Sequence, residues 1–114
     1  MNLTVFDLFS FPDVMEGEPK FDVTDYDVEF QFSVREEETG VTYHYYVIAA
    51  SSVKYFDAQD RSVIVLPVFS LRALQAAISS VVELVEAEKK SNVWGNRLSD
   101  FFDWEYDDFI VDGK

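Results

Sequence analysis

The sequence contains no cysteine, which excludes disulfides, thiolate metal sites and cysteine nucleophiles, and fits a reducing compartment. Histidine occurs once, at His44, so a histidine-based triad would have to be built around that residue. The four glycines, Gly17, Gly40, Gly95 and Gly113, are scattered, and no glycine-rich phosphate loop is present. No apolar run approaches the roughly 20 residues of a membrane-spanning helix. Basic residues are scarce: nine Lys and Arg stand against 22 Asp and Glu, for a net charge of −13. That balance argues against nucleic acid and anionic membrane as partners, because both are reached through Lys and Arg. The opening stretch, up to Ser10, carries Asp7 and no base, so it does not read as a secretory leader, and a cytoplasmic address is expected.

What the chain does have is core material. Of its 114 residues, 48% are hydrophobic and 17% aromatic, which suits one domain spanning 1–114. Residues 3–11 alternate loosely around Leu3, Val5, Phe9 and Phe11, predicting a first strand. The stretch 12–19, PDVMEGEP, reads as a loop. In 26–35, Val28, Phe30, Phe32 and Val34 alternate with Asp27, Glu29, Gln31 and Ser33, giving one buried and one wet face. The charged turn Glu36-Glu37-Glu38-Thr39-Gly40 leads into a β-branched and aromatic run, 41–50, so the two runs predict an antiparallel hairpin. In its second strand Val41, Tyr43, Tyr45 and Val47 share one face, with His44, Tyr46 and Ile48 on the other. Both faces are fairly apolar, which predicts a central strand.

Residues 51–60 read as irregular or briefly helical, and 62–68 as a short strand stopped at Pro67. Ser70 is a good N-cap for a helix running to about Lys90, with Phe69 and Leu74 at staple spacing. Leu71, Leu74, Ile78, Val81 and Val85 form its apolar stripe, and Lys89 and Lys90 sit where the helix dipole favours cations. Ser91 or Asn92 then caps a shorter helix with Trp94, Leu98 and Phe101 or Phe102 on one face. A last strand over 103–110 would turn Trp104 and Tyr106 inward. Strands first and helices late predict an α+β fold: an antiparallel sheet of four to five strands with one long and one short helix packed on it.

The chemistry-bearing residues do not converge on an active site. His44 lies mid-strand among tyrosines, where packing explains it better than general-base work. Neighbouring acids such as Asp25 and Asp27 arise by chance in so acidic a chain. The Asp22–Asp25–Asp27–Glu29 cluster lacks the spacing and central glycine of a calcium loop. No metal, cofactor or catalytic residue is expected.

The acids themselves are unevenly placed. Ten of the 22 fall in 13–38 and six in 100–112, whereas 39–99 holds five acids against six bases. Any one of these charges is accounted for as a solvated side chain. Dense like charge nevertheless destabilises a compact state, so the pattern invites a binding explanation. If the last strand pairs near the first hairpin, the two acidic groups would merge.

Residues 93–109, VWGNRLSDFFDWEYDDF, carry a tryptophan opening a short helix, a leucine four on, and a WEYDDF run. This segment resembles the close of the immunity-eight family of bacterial polymorphic toxin and contact-dependent inhibition systems. The resemblance implies an intracellular antidote that binds and neutralises a cognate toxin domain, often a nuclease with a basic surface. On that reading Asp103, Glu105, Asp107 and Asp108 face the toxin, together with Glu36, Glu37 and Glu38 of the turn, while Tyr46 adds contact area. The partner expected is then a basic protein, with no nucleic acid, no membrane and a monomer favoured. An acidic secretion chaperone and a nucleic-acid-mimic inhibitor fit the charge as alternatives, and a small enzyme fits least.

Overall fold

Period-two alternation builds the sheet, and cross-strand register shows how. The computed structural model describes residues 1–11, 22–52, 62–89 and 93–104. Their elements run β1 (Leu3–Phe11), β2 (Asp27–Glu36), β3 (Thr42–Ala50), β4 (Val63–Val65), α1 (Leu71–Ala87), α2 (Trp94–Leu98) and β5 (Asp103–Trp104). β2 and β3 form the predicted antiparallel hairpin, with Phe30 opposite Val47 and Val34 opposite Tyr43. β1 adds antiparallel to β2. β3 is central, as its two apolar faces predict: β2 lies on one side, and β4 and β5 share the other. The result is the expected α+β architecture.

One strand departs from the antiparallel expectation. β4 runs parallel to β3, with Ile48 opposite Val63 and Ala50 opposite Val65. The signal was connection length: the stretch from Ala50 to Val63 is that of a crossover rather than of a hairpin. β4 is also shorter than predicted, ending at Val65 ahead of Pro67.

Both helices pack on one face of the sheet. That face carries Val28, Phe30, Phe32 and Val34 from β2 and Tyr45, Val47 and Ala49 from β3. Leu74, Ile78, Val82 and Val85 of α1 close over it. Ser70 caps α1 as predicted, its hydroxyl accepting from the Ala73 N–H at 3.2 Å. Phe69 and Leu74 are both buried, and the Phe69 ring stacks on Phe30 at 6.0 Å. The helix ends at Ala87, short of the expected Lys90, because Lys89 takes a left-handed conformation with φ 56°. In α2, Trp94 and Leu98 are buried, and of the two following aromatics Phe102 enters the core while Phe101 stays exposed. Val93 occupies the N-cap position without a side-chain bond; Ser91 and Asn92 lie outside the described residues. Gly95 has a packing reason, since a Cβ there would stand 2.7 Å from the Tyr43 ring.

A bulge resets the phase of β1. Asp7 adopts φ 55°, and the register slips between Phe6 and Phe9. Leu3 and Val5 therefore pack toward the helices, but Phe9, predicted to share their face, lies opposite Gln31 on the far side and is exposed.

Candidate functional site

The hairpin turn holds three consecutive glutamates, and the fold treats them differently. Glu36 ends β2 at the same parity as Val34, so alternation points it inward, and it is only 3% exposed. The Trp94 indole N–H donates to its Oε1 at 3.1 Å, as does the Thr39 hydroxyl at 3.1 Å. Glu36 is therefore a buried anchor between turn and α2. The expectation that it faces a partner is corrected, because the strand period outranks the local excess of charge.

Glu37 and Glu38 stand exposed at the tip. The Asn2 carbonyl accepts from the Glu37 N–H at 2.9 Å, and the Asn2 backbone and side chain both donate to the Glu38 carboxylate. A hydrogen bond from the Thr4 side chain holds the Glu37 carboxyl below the usual glutamate value, and the Asn2 N–H does the same for Glu38. Both acids stay ionised on a turn whose backbone Gly40 completes with φ 77°.

Tyr46 and Asp103 are brought together as register partners of β3 and β5. Tyr46 is half-buried. The Asp103 carboxylate accepts from the Ser62 N–H at 3.2 Å and from its hydroxyl, joining β5 to the start of β4. Asp103 is thus partly occupied by the fold. The Glu37–Glu38 tip lies about 17 Å from Tyr46 along the hairpin, from five residues of strand rise. Glu105, Asp107 and Asp108 lie outside the described residues. So does Tyr106, and so does the expected strand beyond Trp104.

The sheet face opposite the helices gathers, around the expected contact residue Tyr46, others for which the sequence pattern suggests no site. Asp7, Phe9, Gln31, Ser33, His44 and Tyr46 border a shallow open concavity of about 580 Å³. Ser33 and His44 are cross-strand partners, with Oγ and Nδ1 2.6 Å apart. Ser33 is 3% exposed, which shields its hydroxyl from any substrate, so the contact reads as a cross-strand pair. The even positions of β3 announced this face. Phe9 was hidden by the bulge.

Other acids are absorbed locally. Glu86 accepts from the Leu3 N–H at 2.8 Å, tying α1 to β1. Glu88 takes a bidentate pair from Arg97 at 2.9 and 2.8 Å, and Asp100 pairs with the same guanidinium, which raises its pKa further. Asp22 accepts from both the N–H and the hydroxyl of Thr24, which lowers its pKa. Among the described residues no three histidine or acidic side chains are grouped to hold a metal ion. The exposed acids Asp25, Asp27 and Glu29 continue along the start of β2.

This is an arrangement suited to recognition: ionised carboxylates on a pinned turn, and a broad sheet face bearing His44, Tyr46 and an exposed phenylalanine. No protein-family model, curated protein or solved structure matches the chain.

Proposed function

We propose that the protein is an antidote of the immunity type, binding a basic toxin domain through acids at the hairpin tip and in the C-terminal segment. The observation that carries this reading is the pairing of β5 with β3. It starts the acid-rich segment that follows Trp104 from the hairpin whose tip presents Glu37 and Glu38. At Trp104 the chain runs antiparallel to β3, in the direction of that tip. The resemblance of residues 93–109 to the immunity-eight family points the same way.

Electrostatics then has a kinetic purpose. Complementary charge raises association rates by about 10 to 10³-fold, which serves an inhibitor that must capture a toxin before it acts. Affinity would come from a few anchors, Tyr46 among them, rather than from summed charge.

The test is co-expression with the toxin domain encoded immediately upstream of its gene. Growth should be rescued by the intact chain, and less well when Asp107 and Asp108 are both changed to lysine. The association rate should fall steeply as salt is raised. Failure of the intact chain to rescue would reject the pairing, and rescue unaffected by the double reversal would move the interface elsewhere.

A further inference from the structure

Two adjoining concavities run along the outer side of β1, with α1 as their far wall. One, of about 350 Å³, lies between Leu3–Val5 and Val82, Glu83 and Glu86. The next, of about 420 Å³, lies between Val5–Leu8 and Gln75, Ile78 and Ser79. Val5 and Ser79 line both, so the two form one groove. The α1 contributors fall at three- and four-residue steps, a single helical stripe. Ile78 and Val82 lie at its base, 1% and 4% exposed, and Ser79, small and exposed, leaves it open above them.

The strand wall of this groove is a sheet edge. Among the described residues β1 pairs with β2 alone. Asn2 bonds to Glu37 across the ladder, so before the bulge the even positions of β1 turn their backbone groups toward β2. Leu3 and Val5 turn theirs outward. Glu86 occupies the Leu3 N–H at 2.8 Å. The Leu3 carbonyl and the Val5 N–H and carbonyl are left facing the groove. Among the described residues, Asp7, Glu83 and Glu86 are the ionisable ones that line it, and no base does.

The geometry points to a strand-addition site: an extended, lysine- or arginine-bearing segment of a partner protein lies beside β1 and bonds to the Val5 backbone. Its alternate side chains rest over Ile78 and Val82, and its cations meet Glu83 and Asp7. Strand addition beside a helix is an established way to bind peptides, with backbone bonds giving affinity and side-chain pockets giving selectivity. The charge settles the occupant: a second copy of this chain would bring another −13, whereas a basic segment relieves the repulsion. The site goes beyond the antidote reading and does not depend on the partner being a toxin.

A synthetic peptide tests it without that partner. The probe is an acetylated peptide of about ten residues alternating lysine with valine and threonine, long enough to span the edge. Its control carries glutamate in place of lysine. The lysine peptide should bind by fluorescence anisotropy with Kd on the order of 10–100 µM, and should protect the Val5 amide from solvent exchange in NMR spectra. The glutamate peptide should not bind. Val5→Pro removes an N–H that the ladder does not use, so the fold should survive while affinity falls by about tenfold or more. Ser79→Arg, at an exposed helix position, fills the groove and should weaken binding as much; it decides the matter if Val5→Pro fails to fold. Equal binding of the two peptides, undiminished binding to Ser79→Arg, or no binding at millimolar peptide would each overturn the proposal. So would Val5 protection that rises with protein concentration alone, which would assign the edge to a second copy.

Discussion

Among the described residues, replacing Glu36 with alanine takes one acceptor away from two donors at once, Trp94 and Thr39. Thr39 is exposed, and its hydroxyl can turn to water at little cost. Trp94 is 2% exposed and its indole N–H has no such escape, so orphaning it costs about 1–3 kcal/mol. The lost methylenes leave a small cavity worth about 1 kcal/mol more. Relief from burying a carboxylate works in the opposite direction. The balance is a loss of about 2 kcal/mol, or a melting temperature lower by about 8 °C for a domain of this size. Glu36→Gln keeps an acceptor and should lose about half as much. Circular dichroism melts of Glu36→Gln, Trp94→Phe and the double variant should show coupling of about 1 kcal/mol, since the two residues are in direct contact. Glu37→Gln and Glu38→Gln, on the exposed tip, should each stay within about 0.5 kcal/mol. An alanine variant as stable as the parent, or zero coupling in the cycle, would show that Glu36 is not the anchor between turn and α2.

Gly95→Ala drives a Cβ to 2.7 Å from the Tyr43 ring, and overpacking of that kind should cost about 1–3 kcal/mol in thermal unfolding. Ser70→Ala removes the cap accepting from Ala73 and should cost about 1 kcal/mol, measured in urea with an unchanged slope. Glu37 and Glu38 have folded-state pKa values below the ordinary 4.5, so their stabilisation is complete above that value and is lost as pH falls through the lowered ones. Carboxyl-detected NMR titration should find both midpoints under 4.5, and midpoints at or above it would contradict the Asn2 and Thr4 contacts.

The elements that sequence made legible are those where one local rule operates without competition. Alternation at Val28, Phe30, Phe32 and Val34, and the Ser70 cap with its Phe69–Leu74 staple, led directly to β2 and α1. What escaped was set by register and direction. The polarity of β4 depends on how the chain returns to β3, which composition does not encode. The phase change in β1 rests on one aspartate in a left-handed conformation, a state that Asp tolerates but rarely advertises. The candidate site shows the same limit. Three adjacent glutamates look alike in sequence, and only the strand period, carried one residue further than the apolar run, separates buried Glu36 from its exposed neighbours. Tyr46 and Asp103 meet through pairing between distant segments, which no local pattern reveals.

The same late pairing bears on how the molecule is made. The β2–β3 hairpin can close as soon as it emerges from the ribosome, because its partners are neighbours in the chain. β3 nevertheless keeps part of one edge vacant until Asp103 and Trp104 arrive to fill it. During synthesis that vacancy exposes a strand edge next to aromatic side chains, a configuration prone to pairing with the wrong chain. Strong repulsion between nascent copies, each heavily anionic, shields the intermediate over this interval. Completion of the sheet thereby becomes a checkpoint that only β5 satisfies: a chain truncated before Trp104 keeps the hairpin but lacks the strand that closes its edge.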